Sequence, residues 1–88
     1  MQPYIDQTEE NSVIRTFEEN VDEGELHWHR DRENRWVESL DDTDWGIQFD
    51  NELPRKLNTR VFIPRGMWHR VIKGSGSLRV RISFLSPE

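Results

Sequence analysis

In Leu78-Arg79-Val80-Arg81-Ile82-Ser83-Phe84-Leu85, apolar and polar side chains alternate from Leu78 to Phe84. Successive side chains on a strand point to opposite faces, so Leu78, Val80, Ile82 and Phe84 share a buried face while Arg79, Arg81 and Ser83 share the other. Trp45-Gly46-Ile47-Gln48-Phe49-Asp50 repeats the pattern, with Trp45, Ile47 and Phe49 on one side and Gly46, Gln48 and Asp50 on the other. Both stretches predict half-buried antiparallel strands.

Further short runs lie between turn residues: Val13 to Phe17, Glu25 to Arg30, Arg35 to Leu40, Arg60 to Ile63 and Trp68 to Ile72. The chain has no Ala, and no window carries the three-and-four apolar spacing of an amphipathic helix. Asp41-Asp42-Thr43-Asp44 and Lys73-Gly74-Ser75-Gly76-Ser77 have the composition of hairpin loops. Seven or so short strands at this spacing predict an all-β sandwich or barrel.

The chain of 88 residues is short enough for one domain, expected over residues 12–88, behind a polar lead-in over residues 1–11 that stays loose unless something docks it. With no Cys, its stability must come from the nine aromatics, a metal or a second subunit. No apolar run reaches the roughly 20 residues that span a bilayer, and Met1-Gln2-Pro3-Tyr4 has neither the basic nor the apolar region of a secretion signal. A cytoplasmic protein without a membrane partner is expected.

Charge is divided unevenly. Residues 1–52 hold sixteen of the seventeen Asp and Glu but four basic residues, and residues 53–88 hold eight basic residues and Glu88. The basic side chains of the last third alternate with apolar ones and form no cluster, so pairing across strands is expected, with no nucleic-acid partner. Arg15, Arg35 and Arg81 are candidates to hold the carboxylate or phosphate of a ligand.

Three His remain. His27 and His29, two apart in Glu25-Leu26-His27-Trp28-His29-Arg30, would project from one face if the segment is extended, where both rings can share an ion. Arg30-Asp31-Arg32 suits a tight turn that could bring the Glu33 carboxylate back beside them. Asp31 could take the place of Glu33 as the carboxylate, and otherwise reads as a turn residue. His69 follows Ile63-Pro64-Arg65-Gly66-Met67-Trp68, where Pro and Gly make a rigid turn that aims the next strand. The same parity turns Glu25, Met67 and Val71 inward with the rings, and Leu26, Trp28, Trp68 and Ile72 outward.

His27-Trp28-His29-Arg30-Asp31-Arg32-Glu33 resembles the first cupin motif, and Pro64-Arg65-Gly66-Met67-Trp68-His69 resembles the second. The resemblance implies a small antiparallel jelly-roll barrel with a divalent metal inside, held by His27, His29, Glu33 and His69. It also implies a homodimer. Val21, Leu40 and Lys73 stand where the family carries Gly, Gly and Asn; Asn58, at another Gly position, is the residue type that best tolerates a left-handed backbone. Three imidazoles and a carboxylate suit Fe, Mn, Ni, Co or Zn and leave positions open for a small-molecule ligand or substrate. The expected function is binding of a small polar or anionic molecule, with dioxygenase or isomerase chemistry if the site is catalytic. The alternative is a metal-stabilised binding or sensing module.

Overall fold

The computed structural model describes residues 2–85; Met1 and residues 86–88, the outer ends of the expected lead-in and domain, lie outside the described residues. Eight strands follow one another: β1 (Ile5–Thr8), β2 (Ser12–Phe17), β3 (Asn34–Ser39), β4 (Gly46–Phe49), β5 (Arg55–Lys56), β6 (Val61–Ile63), β7 (His69–Ile72) and β8 (Leu78–Leu85). One single-turn 3₁₀ helix, Glu23–Glu25, interrupts them. All strand pairing is antiparallel.

β8 is the centre of a five-stranded sheet in the order β1-β2-β8-β3-β6. Its register sets Ile82 opposite Val13 on one side and Val37 on the other, and Val37 opposite Val61, so four β-branched side chains form one row across the inner face. β4 is the centre of a three-stranded sheet in the order β5-β4-β7. Trp45, Ile47 and Phe49 point from it into one core shared with Leu78, Val80 and Ile82 of β8. The indole N–H of Trp45, fully buried, donates to the Gly76 carbonyl at 3.1 Å. Each such buried aliphatic side chain contributes about 1.5–3 kcal/mol over its exposed state.

The all-β antiparallel class is thus observed, as two layers; no strand pairing among the described residues closes them into a barrel. Both expected hairpin loops are instead crossings between the sheets. The Asp41–Asp44 stretch carries the chain from β3 to β4, and Lys73–Ser77 carries it from β7 to β8. A hairpin would keep both strands in one layer, whereas a crossing lets their apolar faces oppose each other and bury. The two crossings are tied together, because the Asp44 carboxylate accepts from Ser75 N–H at 2.7 Å and from Ser75 Oγ at 2.9 Å.

The lead-in is docked. β1 pairs with β2, and Arg15 grips Asp6 with Nε and Nη2 at 2.8 and 2.9 Å while its guanidinium lies 3.7 Å from the centre of the Tyr4 ring. Cross-pairing of acidic and basic stretches is present on the outer face: Arg81 of β8 lies 3.6 Å from both Glu38 and Glu9, and Arg79 lies 3.1 Å from Asp41. Exposed pairs of this kind are screened by solvent and contribute little to stability. Among the described residues the left-handed non-Gly position is Asn51, at φ 62°, and not Asn58. No helix among the described residues is long and apolar enough to cross a membrane.

Candidate metal centre

The segment Glu25–Arg30 is not a strand. Asp22 caps the 3₁₀ turn by accepting from Gly24 N–H at 2.9 Å, and the chain after it is irregular except at His29. There His29 and His69 form an isolated antiparallel bridge. Directly opposed residues in such a pair carry their side chains on the same side, which places the two ring centroids 4.3 Å apart.

The second wall of the site is set by the Pro64–Met67 turn. Met67 N–H donates to the Pro64 carbonyl at 3.1 Å, and Gly66 sits at φ 79°, as the third position of a type II turn requires. Gly66 N–H donates to the Asp31 carbonyl at 2.9 Å, and Arg65 N–H donates to Asn34 Oδ1 at 2.7 Å. The turn is therefore stitched to the loop that carries Asp31 and to the start of β3. His69 and Asp31 are brought together by backbone bonds before their side chains meet.

His29, Asp31 and His69 each offer a ligand atom within 4.8 Å of the other two. Asp31 Oδ2 lies 3.3 Å from His69 Nε2, and Asp31 Oδ1 lies 4.0 Å from His29 Nε2. Both rings have their tautomer fixed from behind. His29 Nδ1 donates to the His27 carbonyl at 2.9 Å and His69 Nδ1 donates to the Met67 carbonyl at 2.8 Å. A carbonyl only accepts, so Nδ1 carries the hydrogen and Nε2 of each neutral ring presents a lone pair toward Asp31.

That arrangement leaves Asp31 Oδ2 buried without a hydrogen-bond partner. A carboxylate oxygen facing a ring lone pair at 3.3 Å is repulsive unless a proton or a cation lies between them. Burial works against ionisation of Asp31, but a hydrogen bond across the 3.3 Å from His69, made when Nε2 of that ring carries a proton, and the Arg35 guanidinium outweigh it and hold the carboxyl below its ordinary range. Burial likewise pushes His29 below its usual value, with the His27 carbonyl opposing, so the ring stays neutral and free to ligate. The His69 and Asp31 side chains are 4% and 9% exposed and that of His29 is 46% exposed, so the group has a buried base and an open rim.

The expected ligands are distributed as follows. His29 and His69 join the group. Glu33 does not: its Oε1 accepts from Arg35 Nε at 2.6 Å, and Arg35 in turn places Nη1 3.5 Å from Asp31 Oδ1. Glu33 therefore stands behind Arg35, and Arg35 behind Asp31. His27 supplies its carbonyl to His29, and its side chain lines the adjoining cavity without entering the group. The expectation of Glu33 joined a strand through residues 25–30 to the spacing of the resembled motif; the chain turns there instead, and Asp31, of the same parity as Glu33, meets the two rings.

A cavity of about 290 Å³ opens beside the three residues. Glu25, Val71, Arg15 and Arg35 line it, whereas Arg81 lies on the outer face, and Gln48 turns outward to accept from Arg70 Nε at 2.9 Å. Leu26 turns into the cavity and not outward. Trp28 and Trp68 do point outward, 39% and 43% exposed, each beneath an Arg guanidinium: Arg70 over Trp28 and Arg30 over Trp68.

No protein-family profile matches the chain, and no curated protein is similar to it in sequence. Solved structures share its fold. A conserved protein of unknown function from Streptococcus pyogenes, SPY1581, superposes with a TM-score of 0.71 at 12% identity, over 99% of this chain and 77% of that one. Protein NMB1881 from Neisseria meningitidis superposes with a TM-score of 0.60 at 10% identity, over 94% of this chain and 82% of that one.

Proposed function

We propose that the protein is a small cupin-type metalloprotein in which His29 Nε2, His69 Nε2 and the Asp31 carboxylate hold one divalent transition ion, and that the ion receives a small anionic molecule from the adjoining cavity. The observation that carries this reading is Asp31 Oδ2, buried and unpartnered beside an imidazole whose tautomer aims a lone pair at it. A cation resolves that conflict, as does a second proton on His69 Nε2, and metal analysis separates the two.

Two imidazoles and one carboxylate are the donors of non-haem iron(II) oxygenase sites, and with zinc they make the three-ligand set of hydrolytic sites. Three protein donors leave positions open, so a bound ion would supply Lewis acidity, or dioxygen chemistry with iron, to a molecule that shares its shell. The protein's own part is to fix both rings by their Nδ1 hydrogen bonds so that Nε2 faces the ion, to orient Asp31 through Arg35, and to admit the molecule past the exposed His29. Elemental analysis of protein purified without added metal tests the proposal. About one equivalent of iron, zinc, manganese, nickel or cobalt is expected, lost in the His69→Ala variant; a metal-free protein that takes up none of these ions on titration would falsify it.

A further inference from the structure

Resting on that metal centre, we infer that the molecule it takes is a monoanionic amphiphile: a carboxylate bearing a short alkyl chain or a single aromatic ring, its head at the ion and its tail in the cavity. The cavity walls away from the centre are apolar, formed by Phe17, Ile47, Leu57, Val80 and Ile82 from both sheets, all buried, with Leu26 at the rim. An apolar cavity of about 150 Å³ holds a benzene ring. The 290 Å³ here has room for such a ring with its carboxylate.

The two cations on the cavity wall are already neutralised. Arg15 is gripped by Asp6 through two nitrogens, and Arg35 is held by Glu33 and Asp31. Glu25 and His27 stand on the exposed rim. The interior thus offers a ligand one unmet polar demand, at the metal. There the charges are two positive from the ion, one negative from Asp31 and none from the two neutral rings, which leaves one positive charge to be balanced. A single carboxylate balances it; a dianion or a cation would leave uncompensated charge in a largely dry site. A polyhydroxylated molecule would lose its water to apolar walls and gain no partners there.

Calorimetric titration of the zinc-loaded protein with acetate, hexanoate and hexanol tests this. Each methylene buried is worth about a fourfold gain in affinity, so hexanoate is expected to bind at least tenfold tighter than acetate. Hexanol, with the tail but no anionic head, is expected at least tenfold weaker than hexanoate. Leu26→Glu, at the half-buried rim, is expected to erase the gain from chain length while zinc stoichiometry stays at one. Equal affinity for acetate and hexanoate in a protein that does hold zinc overturns the amphiphile and leaves the metal centre standing. Hexanoate binding that survives removal of zinc overturns the placement of the head, and a protein that takes up no zinc overturns both.

Discussion

His29 and His69 exchange both of their backbone hydrogen bonds, each N–H donating to the other's carbonyl at 2.9 Å. Thirty-nine residues of chain between them are closed by this one bridge, and the candidate metal group is built on it, because opposed residues need no further adjustment to bring their rings together. The ligand set follows and is open to direct test. His69→Ala and Asp31→Asn should each weaken zinc or iron binding by at least a hundredfold, since one donor, or its charge, is lost. Glu33→Gln and His27→Ala should leave the stoichiometry near one, with a loss for Glu33→Gln of no more than the 10–100-fold typical of a supporting residue. If Glu33→Gln abolishes binding while Asp31→Asn spares it, the assignment of the carboxylate is wrong.

The unpartnered Oδ2 of Asp31 makes metal uptake a stabilising event. A ligand that binds the folded state alone stabilises it by about 2.7 kcal/mol at a hundred times its Kd. In a domain of this size, that corresponds to a rise of about 10 to 20 °C in Tm. Calorimetry with and without the ion should show the rise, and Asp31→Asn should lose most of it. An unchanged Tm at saturating metal would contradict the site.

Acid should destabilise the apo protein, and both cited groups push the same way. His29 has a folded-state value below the ordinary 6.5, through burial first, so on acidification the unfolded chain takes up a proton that the folded one resists. Its contribution is present above pH 6.5 and falls away as pH drops below that. Asp31 is held below the ordinary 3.8, so its contribution persists above that value and disappears as pH falls through the folded one. The urea midpoint of apo protein is expected to be lower at pH 5 than at pH 7.5, and His29→Asn should flatten the slope in that interval. A midpoint that climbs on acidification would mean that the His29 ring is charged in the folded state.

Where the local pattern carried the physics, the sequence was legible. β8 runs from Leu78 to Leu85 as its alternation requires, because burial on one face and solvent on the other is a purely local demand. That His29 and His69 belong to one candidate group was legible from motif spacing, with the Pro64–Gly66 turn before His69 a local feature. Long-range relations were not. Asp41–Asp44 and Lys73–Ser77 announce a reversal, but turn residues do not say which sheet the next strand joins; the choice is made by the opposed apolar faces of β4 and β8. Asp31 was ranked behind Glu33 because its placement depends on Gly66 N–H, which reaches it from a loop 35 positions on. The 3₁₀ cap at Asp22 was the missed signal: an Asp two residues before Gly24 stops the strand reading that made Glu33 the expected carboxylate.

Two glycines separate backbone strain from steric exclusion, and their substitutions should differ in kind. At Gly66 an added Cβ meets nothing within 4 Å, so Gly66→Ala is opposed only by the left-handed φ of 79°, which costs about 1–2 kcal/mol for an L-residue. The N–H that holds the Asp31 carbonyl survives, so metal stoichiometry should survive with it, and Gly66→Asn should recover part of the lost stability. Gly66→Pro removes that N–H and forbids the dihedral, and should release Asp31 and the metal together. Gly74 has no positive φ, but a Cβ there would stand 2.6 Å from the Trp45 backbone nitrogen, between the two tied crossings. Gly74→Ala must push one crossing off the other and expose the core at Trp45, so urea denaturation should show a larger loss than for Gly66→Ala. A smaller loss at Gly74 would mean that the crossings are not held against each other as tightly as the Asp44–Ser75 bonds indicate.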